Sequence, residues 1–263
     1  MKLKDYYTPD IVSSYADIDR NLEDRELKSI KIISTLDLIE GSKFIDVGCG
    51  DGKFLTSLSL KVKKKLIFFG GDYSLHRVEQ AKENTGFQIS QINLEERLGF
   101  ESKSFDCVYS GEVVEHLYNP DNMILEINRI LKNNGHLILT TPNLNSWISR
   151  MLFLFGIQPL NYECSTVSSI YGYGFLKKFK KQDWPIGHVR LFNMKSLIDI
   201  LENNGFAVKK IQGVVFEFMP QPLRLPDRLF SYFPSLASGL VVHAVKCENK
   251  QLDGSSAGVV RNK

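Results

Sequence analysis

The sequence predicts an α/β fold: a doubly wound, mostly parallel sheet of seven strands with one antiparallel strand, helices on both faces, and an irregular insertion after the fifth strand. Three observations predict it. Short apolar runs alternate with amphipathic stretches of helical spacing over residues 22–140. The first run, Phe44-Ile45-Asp46-Val47, passes directly into Gly48, Gly50 and Gly52. The alternation stops after Pro142 and resumes at Met194.

The elements follow in order. Leu22, Leu27, Ile30, Ile33, Leu36 and Leu38 predict an amphipathic helix over residues 19–38, stopped by Gly41. A buried strand over 44–47, a helix over 52–60 and a second strand over 66–69 come next, the strand ending in Gly70-Gly71-Asp72. Ser74 reads as the N-cap of a helix over 75–84. Strands are expected at 87–91, 105–109 and 136–140. A helix over 121–131 separates the last two and ends at Asn133-Asn134-Gly135. Residues 143–190 are aromatic, polar and irregular, and read as an insertion over the sheet edge where ligands bind. A helix over 194–203 ends at Gly205. A strand over 206–218, a short helix over 226–233 and a last strand over 238–246 complete the fold, the last strand lying antiparallel beside the strand over 206–218. The expected organisation is an N-terminal segment with a cap helix (1–42), a main domain (43–247) and a disordered polar tail (248–263).

Composition narrows the classes. A net charge of +3 is too mild to argue for nucleic acid. Cys49, Cys107, Cys164 and Cys247 form no C-x-x-C pair, which fits a reducing compartment. The N-terminus lacks the apolar run of a signal peptide, and no stretch is apolar and long enough to span a bilayer; residues 147–160 come nearest but carry Arg150, Gly156 and Pro159. A cytoplasmic location is expected. No run of metal-ligand spacing is legible.

The glycines carry the chemistry. A strand that runs through glycines into a helix lets backbone approach a ligand. The dinucleotide fingerprint is G-x-G-x-x-G, whereas Gly48-x-Gly50-x-Gly52 is one residue shorter. That spacing argues for a cofactor without a pyrophosphate, and S-adenosylmethionine is one. Asp72, closing the second strand, suits ribose hydroxyls; the plainer role is to cap the turn before Ser74.

These residues resemble the class I S-adenosylmethionine-dependent methyltransferases, which share the Rossmann-like fold. Residues 44–52 match their glycine motif, with Asp46 as its acid. Residues 104–110, 112–117 and 128–136, then Thr141-Pro142-Asn143, match later segments in order, and 187–192 with Gly205-Phe206 match more weakly. The pattern is most similar to the small-molecule branch that includes ubiquinone-pathway O-methyltransferases. The resemblance implies that Asp46, Gly48, Cys49 and Gly50 lie along the methionine moiety. It implies that Asp72 holds the ribose, Tyr73, Asn93 and Leu94 border the adenine, and Ser110 or Gly111 lines the sulfonium pocket. Asn93 departs from the aspartate common there.

His116 and His188 are the candidate bases for a hydroxyl acceptor, each with a structural alternative: His116 packing a helix end, His188 anchoring the insertion. Glu112 and Glu115 are placed to orient His116, and Arg190 suits an anionic acceptor or an ion pair. Tyr6, Tyr7 and Tyr15 are candidates to cover the cofactor. Residues 175–184 interleave lysines with aromatics, which fits the phosphate of a nucleotide sugar, an anionic membrane surface, RNA or simply a solvated face. The expected partner is a small or carrier-linked acceptor. A nicotinamide-dependent oxidoreductase and a cofactor-binding scaffold are the competing functions.

Overall fold

Side chains at alternate strand positions face opposite sides of a sheet, so two helical layers are needed to bury both. The computed structural model describes residues 22–179, 183–217 and 219–248. Its strands are β1 (Lys43–Val47), β2 (Ile67–Asp72), β3 (Gln88–Gln91), β4 (Phe105–Gly111), β5 (Leu131–Pro142), β6 (Phe206–Val214) and β7 (Gly239–Lys246). Its helices are α1 (Asp24–Ser34), α2 (Lys53–Lys61), α3 (Leu75–Thr85), α4 (Pro120–Ile130), α5 (Trp147–Leu154), α6 (Met194–Asn203) and α7 (Gln221–Phe230). The strands form one seven-stranded sheet in the order β3-β2-β1-β4-β5-β7-β6. β3 through β5 pair in parallel. β7 lies antiparallel between β5 and β6, as the sequence predicts for its pairing with β6.

The period-two alternation sorts the core. Ile45, Val108, Leu139 and Val242 face α4 and α6, which present Ile124, Ile127, Leu197 and Leu201. Phe44, Cys107, Ile138 and Val241 face the other layer, where α1, α2 and α3 present Ile33, Leu55, Leu58 and Val78. By the same alternation Asp46 points with Phe44 toward the α1 side.

Several boundaries differ from the sequence expectation. α1 ends at Ser34, and Leu36 and Leu38 are buried beyond it; residues 19–21 lie outside the described residues. β5 starts at Leu131 rather than at residue 136. The register jumps from Phe105↔Leu131 to Cys107↔His136, so the Asn133-Asn134-Gly135 turn is a bulge inside the strand, with Asn134 at φ +59°. β6 stops at Val214, because Asp24 and Asp227 carboxylates accept the Val215 and Phe216 amides and end the ladder. α7 begins at Gln221 with Pro222 in its first turn, so Pro226 sits inside the helix instead of opening it. The insertion is not wholly irregular: it contains α5 and a 3-10 turn, Gly174–Phe179. Residues 249–263, which carry most of the expected tail, lie outside the described residues, as do Tyr6, Tyr7, Tyr15, Lys180 and Lys181. No helix among the described residues is long and apolar enough to cross a membrane.

Candidate active site

The strand order reverses between β1 and β4, and open α/β sheets take ligands beyond the strand ends at such a point. Two segments border it. The first is the glycine loop after β1. Gly48, Gly50 and Gly52 have φ of +88°, +55° and +81°, values that favour glycine. A Cβ on Gly48 would stand 2.3 Å from Val113 Cγ2, whereas one on Gly50 would meet nothing within 4 Å. The loop is therefore packed against protein at Gly48 and open at Gly50. The Gly48 and Cys49 amides both donate to the Gly71 carbonyl, at 2.7 and 3.0 Å. Asp72 fastens the same bend from the end of β2: Oδ2 accepts the Gly50 amide and Oδ1 the Ser74 amide, both at 2.9 Å.

Burial raises the pKa of Asp72 against the pull of these bonds. Asp46 is buried and its Oδ1 has no hydrogen-bond partner among the described residues. Burial, then the charges of Asp72 and Glu26, push its pKa well above the usual carboxylate range. Burial, with Asp46 and Asp72 behind it, also pushes the Cys49 thiol up. Carboxylates crowd this side of the crevice, and Arg77 draws the Asp72 pKa down against its burial.

Tyr73 directly follows Asp72 and is half-buried, and Leu94 is buried. Asn93 bonds within its own turn: its amide nitrogen donates to Glu96 Oε1 at 2.9 Å and its Oδ1 accepts the Glu95 amide at 3.0 Å. Ser110 Oγ is buried without a partner among the described residues. Gly111 is fixed by packing, since a Cβ there would lie 2.4 Å from the Tyr109 hydroxyl.

The second segment follows β4. Glu112 holds φ +56°, which bends the chain out of the strand into a 3-10 turn, Val114–His116. Glu112 accepts from Thr140 Oγ1 at 2.9 Å and pairs with Arg25 at 3.3 Å. Glu115 turns inward and is fully buried. One oxygen accepts from Thr141 Oγ1 at 3.1 Å, and the other has no partner among the described residues. Burial, then the charge of Glu112, pushes its pKa well above the usual range.

The end of the insertion folds against this turn. The Val189 and Arg190 amides donate to the Glu115 carbonyl at 2.8 and 2.9 Å. His116 Nδ1 bonds the Gly187 carbonyl at 3.1 Å and His188 Nδ1 the Asn161 carbonyl at 2.9 Å. The two imidazoles lie 4.9 Å apart between centroids. Burial, then the neighbouring His188, lowers the His116 pKa to about 4, so the ring is neutral at physiological pH. His188 thus both anchors the insertion and meets His116. Arg190 donates to the Tyr118 carbonyl.

Sequence reading missed two groups. Glu163 accepts the amides of Ile186, Gly187 and His188, at 2.6, 2.7 and 3.2 Å, and so fixes the segment that carries His188. Glu115, His116 and His188 also form a cluster whose ligand atoms lie within 4.8 Å of one another. The Glu115-His116 pair was visible in the sequence; its convergence with His188 was not.

Residues 19–211 match a family model described as a methyltransferase domain. The ubiquinone biosynthesis O-methyltransferase of Pelagibacter ubique is 25% identical over 206 residues, covering 76% of this chain and 76% of that protein. The mitochondrial enzyme of the same description from Rattus norvegicus is 28% identical over 186 residues, covering 68% of this chain and 48% of that protein, so the chain spans about half its length. A SAM dependent methyltransferase from Aquifex aeolicus superposes with a TM-score of 0.57 at 17% identity, over 91% of this chain and 99% of that one, which shows the fold.

Proposed function

Since this chain belongs to the methyltransferase-domain family and is an S-adenosylmethionine-dependent enzyme, we propose that it methylates a hydroxyl oxygen on a small or carrier-linked acceptor. One observation carries the reading: an open, carboxylate-rich glycine bend lies on one side of the β1–β4 crevice, and the neutral His116 imidazole, packed against His188, on the other.

The loop fits the cofactor. Space is open at Gly50, and the orphaned Asp46 oxygen and the crowded carboxylates suit a ligand bearing a sulfonium and an ammonium. Asp46, Gly48, Cys49 and Gly50 would hold the methionine end. Asp72 would hold the ribose, Tyr73, Asn93 and Leu94 the adenine, and Ser110 and Gly111 the neighbourhood of the sulfur. When bound, the cofactor would supply a methyl group activated by positive sulfur for in-line transfer to the acceptor oxygen. The protein's own task is to align the acceptor, exclude water and take the hydroxyl proton. Anchoring of Nδ1 to the Gly187 carbonyl leaves His116 Nε2 as the proton-accepting nitrogen. Glu163 and the Asn143–Phe192 bridge hold the insertion over this end.

A relative named for ubiquinone biosynthesis supports a hydroxylated ring as acceptor. Phe153, Leu154 and Phe155, all exposed on the insertion, suit a lipid-linked one. Calorimetry with S-adenosylmethionine, its demethylated product and NADH tests the cofactor; the first two are expected to bind and the last is not. Transfer of labelled methyl to a panel of phenolic and polyprenyl-phenolic acceptors tests the reaction. Binding of cofactor without transfer to any of them would favour a scaffold.

A further inference from the structure

We propose that the cleft between the first turns of α4 and α6 binds a singly charged oxyanion carried by the acceptor, a carboxylate or a phosphodiester, with Arg190 as its main contact. The site rests on these residues alone; its assignment to the acceptor rests on the methyl-transfer reading above.

The cleft has a volume of about 530 Å3, ample for a small molecule. Pro120 and Phe192, both buried, give it apolar surface, and Arg190 and Asn119 give it donors. Arg190 is held at both ends. Its amide donates to the Glu115 carbonyl at 2.9 Å. Its Nε and Nη2 both donate to the Tyr118 carbonyl, at 3.4 and 3.2 Å. A guanidinium carries five N–H donors in a rigid fork, and this carbonyl occupies only the edge that Nε shares with Nη2. The edge formed by Nη1 and the second Nη2 hydrogen has no partner among the described residues. That edge matches a carboxylate or a phosphate with two parallel hydrogen bonds. Asn119 Oδ1 caps α4 by accepting the Asn122 amide at 3.2 Å, which leaves its Nδ2 as a further donor on the wall.

The competing role, an ordinary ion pair, is not what the fold gives Arg190. Asp121 is the acid among the lining residues, and it accepts from Asn204 Nδ2 at 3.3 Å instead of pairing with Arg190. Its charge opposes a doubly charged ligand, which favours a monoanion over a phosphate monoester. The cleft also adjoins the imidazoles. Tyr118 follows His116 by two residues and Arg190 follows His188 by two, and two residues of chain reach at most about 7 Å. One acceptor can therefore meet His116 with its hydroxyl and Arg190 with its oxyanion.

The test uses the full chain titrated by calorimetry with benzoate, methyl phenyl phosphate and the neutral benzyl alcohol. At least one of the two anions is expected to bind about 10-fold or more tighter than the alcohol. Arg190→Ala should erase that preference, and Arg190→Lys should restore only part of it, because the charge returns without the fork. The bond from residue 190 to the Glu115 carbonyl is main chain and survives both changes, and unchanged S-adenosylhomocysteine binding reports that each variant is folded. In methyl transfer, Arg190→Ala should raise KM about 10-fold for phenols bearing the favoured anion, with kcat and the KM of neutral phenols unmoved. Equal binding of all three probes to the wild-type chain, or a preference that survives in Arg190→Ala, would overturn the site. Anion preference without S-adenosylhomocysteine binding would keep the site and remove the methyl-transfer reading. The reverse result would remove only the site.

Discussion

On the β1–β2 side of the crevice, the bend is shaped by main chain: three glycines at positive φ and the Gly71 carbonyl, pinned by one carboxylate from the neighbouring strand. On the β4–β5 side, the converging groups are side chains drawn from distant segments, Glu115 and His116 from the 3-10 turn and His188 from the far end of the insertion. Val113 joins the two by filling the space beside Gly48. The first side suits a ligand common to a whole family, because any sequence that makes the bend makes the site. On the proposed reading the second side governs acceptor choice and proton chemistry, since a single substitution there alters a functional group without altering the fold.

If that division holds, the two sides respond differently to mutation. The largest effect is expected from Gly48→Val, which combines positive φ with a clash against Val113. It should cost about 3 kcal/mol or more of stability and abolish cofactor binding. Gly50→Ala is its control: free of any protein clash, it should cost only about 1–2 kcal/mol, while calorimetry shows cofactor affinity falling. Equal melting temperatures for the two would break the distinction between a packed and an open glycine.

His116→Ala should lower kcat on the order of 100-fold or more, with cofactor affinity unchanged. Full turnover would break the assignment of chemistry to the β4–β5 side. Glu163→Gln should be milder, about 10-fold in kcat/KM for the acceptor with the cofactor dissociation constant unmoved, because it loosens the segment bearing His188 and nothing else.

The smallest effect lies outside the crevice, at the opposite ends of β5 and β7. His136 bridges Asp37 and His243 there, at 3.0 and 3.2 Å. Burial, then His136, Lys209 and Lys210, lowers the His243 pKa from 6.5 to about 4. The folded chain then refuses a proton that the unfolded chain accepts, so the contribution is complete above pH 6.5 and drains as pH falls toward 4. His243→Leu should flatten the fall in melting temperature over that window while leaving methyl transfer at neutral pH intact.

The glycine-loop side was readable in the sequence because its signals are local: an apolar run, three closely spaced glycines and an acid closing the next strand. The β7–β6 pairing was readable from two apolar runs late in the chain. The other side was not. Nothing in the spacing of Glu163 announces that it will accept three amides from residues 186–188. His116 and His188 were each visible, yet only the folding of the insertion against the 3-10 turn brings their rings together. The end of β6 was unreadable for the same reason, since side chains of Asp24 and Asp227 terminate it from elsewhere. Asn93 was read as a nucleobase contact; its side chain also bonds within its own turn, to Glu96 and the Glu95 amide, which no local pattern announces.

The placement of β7 bears on how the chain is made. Among the described residues β6 is paired in the sheet only with β7, yet β7 is synthesised after it and must enter between β6 and the waiting edge of β5. A nascent polypeptide stalled before Gly239 would thus present two unpaired strand borders at once, the arrangement most prone to sticking to its neighbours on the ribosome. A stop codon that removes only this final segment would forfeit two strands of the sheet rather than one.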